Sequence, residues 1–212
     1  MLKLIQLGLT FTTPTGALPV RGGRYVAWQF NFREFNVDED MYAADSIQLL
    51  RQSGIDFEAA PEKGIDVRRF GELLMTSGVV LADDVTWLTF HSSFDFGYLL
   101  KLSTCAPLPP TEAEFFELLA LYFPTVFDMK FIMKHLEGGL HGGLQKLADA
   151  LDVARIGPQH QAGSDSLLTA RVFFELRRRF FAAGGIDRHV NVLYGLGLDG
   201  RNADEEGAAV DA

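Results

Sequence analysis

Residues 85–102 read VTWLTFHSSFDFGYLLKL. The first six are β-branched, aromatic or apolar, which suits a pleated, half-buried strand. The remainder passes at once into a helix carrying Tyr98, Leu99, Leu100 and Leu102. A strand that feeds a helix is the repeating unit of α/β folds. Asp95 stands just after the strand, at the helix start.

Working outward, residues 2–11 form a strand of leucines and isoleucine. TTPTGALPVRGG supplies turn residues. RYVAWQFNF is a second strand, and the pair reads as a hairpin. NVDEDMYAADSIQLLRQSG is a helix, with acids crowding its first turn and Gly54 after its last. GIDVRRFGELLMTSG is another, ending at Gly78. Beyond APLPP, TEAEFFELLALYF opens with a capping box, Thr111 and Glu114, and stops at Pro124. TVFDMKFIM reads as a short strand running into a helix, and HGGLQKLADALDV as an amphipathic helix. A last helix begins near Ser164 or Asp165, runs to about Ala183, and is closed by Gly184 and Gly185. Early strands followed by alternating strands and helices point to an α/β or mixed α+β domain, a sheet covered by helices.

The chain has 212 residues, 48% of them apolar, enough for one well-filled core. A single cysteine, Cys105, excludes an internal disulfide and is expected to be a small buried hydrophobe. The net charge is -9, and the last fourteen residues contribute five acids against one arginine. Residues 198–212 are therefore read as an acidic, disordered tail after a domain of residues 1–197. The balance is not the basic footprint of a protein that grips long nucleic acid by its phosphates. No stretch reaches the roughly 18 apolar residues of a membrane helix, so no membrane partner is expected.

Two places share one design, a polar stretch ending in an aspartate at a helix start. The first is FHSSFDFGYLLK with Asp95, and the second is HQAGSDSLL with His160 and Asp165. Carboxylates so placed suit phosphodiester hydrolysis with two metal ions about 4 Å apart, and a histidine near the attacking water suits a general base. Helix capping explains the aspartates equally well. His91 reads as a structural hydrogen-bonding group, and the arginines at 177–179 as the solvated side of a helix. GGLHGGL (138–144) lacks the lysine of a phosphate loop and reads as a flexible entry to a helix, with Leu144 taken as a residue lining substrate.

LKLIQLGLTF, WQFNF, DEDMYAADSIQLL, ELLMTSGVVL, WLTFHSSFDFGYLLK and RIGPQHQAGSDSLLT together resemble the Pop/Caf-type poly(A) deadenylases, nuclease subunits of the CCR–NOT complex within the DEDD superfamily. The resemblance runs from residue 2 to about residue 197. It implies an RNase H-like mixed sheet flanked by helices, and a 3′-to-5′ exoribonuclease that shortens mRNA poly(A) tails and releases AMP. It implies two divalent metals, magnesium or manganese, and as partners poly(A) RNA, the large scaffold subunit and the second deadenylase of the complex. It implies work in nucleus and cytoplasm. Asp95 and Asp165 match the aspartates of the family's second and third motifs, as metal ligands. His160 matches the general base.

The family's first motif, an Asp-x-Glu pair on the first strand of its sheet, has no match here. Asp38, Glu39 and Asp40, or Asp83 and Asp84, do not follow the pattern. The expectation is a sheet without that strand, belonging to a chain whose true start lies upstream. The alternative is a catalytically inactive adaptor of the same complex, because two of four metal-binding carboxylates are missing.

Overall fold

A computed structural model describes residues 3–136 and 139–197. The acidic stretch 198–212, Leu2 of the expected first strand and Gly138 of GGLHGGL lie outside the described residues.

The hairpin forms as the alternation predicts. Strand β1 (Gln6–Leu9) pairs antiparallel with β4 (Trp28–Asn31), Gln6 opposite Asn31 and Leu9 opposite Trp28. Both strands are shorter than their apolar patterns. The connection between them folds into its own small hairpin, β2 (Val20–Arg21) against β3 (Arg24–Tyr25). Gly22 and Gly23 turn it with φ of 58° and 74°, which side chains other than glycine resist. Tyr25 thus belongs to this inner ribbon and not to the main pair.

Helix α1 (Ala44–Gln52) starts later than the acids at 38–40 suggest. Those acids serve a turn instead. Asp40 accepts the Asn36 N–H at 2.8 Å, Asn36 accepts the Asp38 N–H at 2.9 Å, and Lys3 pairs with Asp40 at 2.9 Å. Aspartate and asparagine bond neighbouring backbone in turns as readily as at caps. A single helical turn, α2 (Ala60–Lys63), has no periodic signal in the sequence and was not expected. Helix α3 (Val67–Met75) is capped by Asp66, which accepts the Arg69 N–H at 2.9 Å.

The opening stretch folds as read, β5 (Thr86–Thr89) leading into α4 (Ser93–Thr104). Helix α5 (Glu112–Tyr122) carries both arms of the predicted capping box. TVFDMKFIM divides into β6 (Thr125–Asp128), parallel to β5, and α6 (Met129–Lys134). Helix α7 (Leu144–Ala150) and the long α8 (Ala162–Phe180) complete the helices, and a short 3-10 turn spans Ile186–His189.

The mixed α/β class holds, but the strands are distributed over three two-stranded ribbons among the described residues. Helix α8 joins two of them by packing on β1, β4 and β5. One core gathers Phe127, Ile132, Leu147, Leu168, Val172 and Leu176 between β6 and helices α6 to α8. A second gathers Phe32, Phe70, Phe96, Leu100, Phe115 and Phe123 around α3, α4 and α5. Each such side chain, fully buried, stabilises the fold by about 1.5–3 kcal/mol. Cys105 is a correction. It is exposed at the C-cap of α4 with φ of 52°, because the chain reverses there toward APLPP and turns the side chain outward. Among the described residues no helix is long and apolar enough to cross a membrane.

Candidate functional site

Asp95 lies in the first turn of α4, where the expected strand-to-helix junction sets it. The junction is held from beneath by Asp128, at the end of the neighbouring strand and 0% exposed. Its Oδ1 accepts the N–H of His91 at 2.7 Å and of Lys130 at 3.0 Å. Its Oδ2 accepts those of Ser92 and Tyr194, each at 3.2 Å. A buried carboxylate is tolerated when hydrogen bonds replace its water, and four backbone donors do that here. His91 is therefore tied through its backbone, at φ of 59°, while its ring meets Tyr194 edge-on at 5.0 Å. The Asp95 residue keeps an open surface, yet protein crowds its carboxyl. Loss of solvent raises its pKa above the ordinary carboxylate value and the charge of Asp128 adds to this. Its own backbone N–H and His91 pull the other way.

The second site wraps the start of α8, which begins at Ala162 rather than at Ser164 or Asp165. Asp165 lies in the first turn, but the helix is not capped by it. The free N–H groups of Ala162 and Gly163 are taken by the side-chain oxygens of Gln6 at 2.7 Å and Gln29 at 2.9 Å. Gln161 joins the same cluster, accepting from Gln29 at 2.7 Å and donating to the Ser53 carbonyl at 2.7 Å. Gly8 makes the docking possible: a Cβ there would lie 1.9 Å from the Ala162 carbonyl oxygen.

Asp165 pairs instead with Arg155, Nη1 to Oδ1 at 2.6 Å. The arginine side chain is 13% exposed and also donates to Gln145 of α7 at 2.6 Å and to the Ser164 hydroxyl at 3.2 Å. Ser164 in turn donates to the Ile156 carbonyl at 2.9 Å. These contacts draw residues 155–160 over the helix start and leave His160 exposed in a left-handed turn, φ 60°. Leu144, the first residue of α7, is half-buried and packs on the core of α6 to α8.

Asp95 and Asp165 thus sit in two separately braced networks. Among the described residues, no three histidine, cysteine, aspartate or glutamate side chains converge into a set that could hold a metal ion. The described residues by themselves do not complete a two-metal centre, and one expected ligand carries a guanidinium on its Oδ1. Sequence reading missed Asp128, although like Asp95 it stands where a strand passes into a helix. It also missed Arg155 and the three glutamines, whose partners are scattered along the chain.

Residues 76–173 match the family described as CAF1 family ribonuclease. The chain is 57% identical over 201 residues to probable CCR4-associated factor 1 homolog 7 of Arabidopsis thaliana, covering 94% of this chain and 72% of that protein. It is 52% identical over 199 residues to poly(A) ribonuclease pop2 of Schizosaccharomyces pombe, covering 94% of this chain and 58% of that one. Among solved structures, S. pombe Pop2p in its Mg2+- and Mn2+-bound form matches with a TM-score of 0.85 at 52% identity. The match covers 92% of this chain and 75% of that one. A chain in the structure of the yeast NOT1 MIF4G domain co-crystallised with CAF1 matches with a TM-score of 0.74 at 30% identity, over 90% of this chain and 74% of that one. The strand-to-helix aspartates, the helix-start loop and this likeness across nearly the whole chain lead to one conclusion: the chain belongs to the CAF1 family of ribonucleases.

Proposed function

We propose that the chain is a poly(A)-specific 3′-to-5′ exoribonuclease that shortens mRNA tails and releases AMP, docked on the NOT1 scaffold of a CCR–NOT complex beside a second deadenylase, in nucleus and cytoplasm. The observation that carries this is the 52% identity, over 94% of the chain, to a protein named a poly(A) ribonuclease. The scaffold partner rests on the likeness to a CAF1 crystallised with NOT1. Magnesium or manganese belongs to this reading, because Pop2p was solved with both. Among the described residues no three histidine, cysteine, aspartate or glutamate side chains form a group that could hold such an ion.

The chain's own side chains are assigned as follows. His160, exposed in the loop before α8, takes the proton of the attacking water. Asp95 and Asp165 are the acidic groups facing the scissile phosphate and its counter-ions. Asp128 positions the first by holding the junction before α4. Arg155 positions the second.

The test is incubation of the purified chain with magnesium or manganese and end-labelled RNA ending in adenylates or, as control, in another homopolymer. The expected result is a ladder of shortened A tails. It is abolished by Asp95→Ala or Asp165→Ala and reduced at least about a hundredfold by His160→Ala, the usual scale of a lost general base. Retained activity in either aspartate variant overturns the assignment. The adaptor reading is favoured by one observation, the pairing of Asp165 with Arg155 in place of an acidic cluster. It predicts no shortening by a folded chain that still binds the NOT1 domain.

A further inference from the structure

The arginine run read from the sequence as a solvated helix face lines a cavity of about 780 Å³. The cavity lies between the loop that carries β2 and β3, the turn after α7, and the C-terminal half of α8. Arg171, Arg177, Arg178 and Arg179 all contribute to its walls, with Tyr25 and Phe174. Two acids line it as well. Glu175 pairs with Arg178 at 2.6 Å and with Arg179 at 2.5 Å, and Asp152 pairs with Arg179 at 3.1 Å. Arg171 and Arg177 are different. Their hydrogen-bonding partners are neutral carbonyls, of Ala154 and Pro14, so among the described residues neither charge is cancelled by an acid bonded to it. Arg177 also lies over the Phe174 ring, 4.9 Å from its centre, and Tyr25 is 52% exposed.

The cavity therefore joins uncompensated guanidinium groups to aromatic surface, on a chain whose net charge is -9. Guanidinium forks match phosphate, and aromatic rings and arginine planes stack on bases without regard to sequence. An acidic peptide would satisfy the charges but leave the rings without partners. Along α8 the arginines stand 6 to 14 residues beyond Asp165, about 9–21 Å at the helical rise. The cavity is thus removed from the acidic end of that helix.

We propose that this cavity is an accessory groove for single-stranded RNA, holding a part of the strand distant from the terminus being cut. The proposal deepens the nuclease reading and rests on it for the identity of the strand.

The test is fluorescence anisotropy of labelled oligoadenylates, one of about twenty residues and one of about three, bracketing the few-nucleotide footprint of such grooves. Chelator is present, so that nothing is cleaved. Arg171→Gln/Arg177→Gln should weaken binding of the long oligomer at least about tenfold at low salt. It should lower the slope of log K against log salt by about 1.4, the share of two phosphate contacts on a single strand. The short oligomer should be unaffected. Tyr25→Ala, whose exposed ring has no part in the arginine contacts, should weaken the long oligomer about fivefold or more with the slope unchanged, as loss of a stacking partner does. Unchanged affinity and slope in the double variant, with its melting curve intact, overturn the groove. So does displacement of the long oligomer from wild type by polyglutamate at equal concentration, which would assign the cavity to an acidic protein segment. Should wild type bind as expected yet never shorten an A tail with metal added, the nuclease reading fails and the groove stands.

Discussion

Asp95 holds its charge at a cost to the fold. Its pKa is raised in the folded chain, chiefly by loss of solvent. The folded form therefore holds a proton that the unfolded form has already released. Stability on this account is greatest at low pH and falls as pH rises from the unfolded value through the folded one. At neutral pH the charge is a burden, so Asp95→Asn should raise the Tm of the chain and, on the nuclease reading, remove activity. Thermal unfolding at pH 7 checks it, and an unchanged or lower Tm contradicts it. The position of Asp95 could be read from VTWLTFHSSFDFG because strand and helix signals meet there. The crowding could not, because Asp128 lies 33 residues away and enters only when β6 pairs with β5.

At the scale of elements, the most exacting contact is the crossing of β1 and the start of α8. Gly8→Ala places a methyl group against the Ala162 backbone, which cannot rotate away. A loss of about 3 kcal/mol is expected, at the upper end of overpacking costs, seen as a lower denaturant midpoint. Gly143→Ala is the control. It meets nothing within 4 Å, has an ordinary φ of -89°, and should change stability by less than about 0.5 kcal/mol. Elements whose signals are local came out as read: the capping box of α5, the Asp66–Gly78 helix region, and the passage from β6 to α6. The acids at 38–40 misled because aspartate closes turns and opens helices by the same hydrogen bonds. Helix α2 is too short, at four residues, to carry any period.

Across the whole molecule, the turn that follows α8 folds back on the core and buries His189 among Phe131, Phe181 and His135. Burial, then Arg188 and His135, push the His189 pKa down to about 4 from 6.5. Below 6.5 the unfolded chain takes up a proton that the folded chain refuses until about 4. This contribution to stability is therefore present above pH 6.5 and lost as pH falls through that window. His189→Gln keeps an acceptor for the Arg188 guanidinium, which bonds the imidazole at 3.1 Å, and removes the titration. Between pH 7 and pH 5 wild type should lose about 1 kcal/mol, roughly 2–4 °C, more than the variant does. Equal losses would show that His189 titrates as freely in the fold as outside it.

Local sequence signals establish the set of parts: a hairpin, two strands that each feed a helix, a capped α5, a long last helix, and three candidate side chains at or before helix starts, Asp95, His160 and Asp165. Each rests on a period of two or of 3.6, or on a cap within four residues, and such signals survive in one dimension. The tertiary structure alone decided how the parts are held. Gln6 reaches α8 across 156 positions and Gln29 across 134, to cap a helix that lacks a side-chain cap of its own. Asp128 gathers donors from 37 positions before it to 66 after. Arg155 binds the carboxylate that spacing had assigned to a cap or a metal. These pairings satisfy backbone and charge that folding removes from water, and which partner does so depends on where distant segments meet, which no local pattern records.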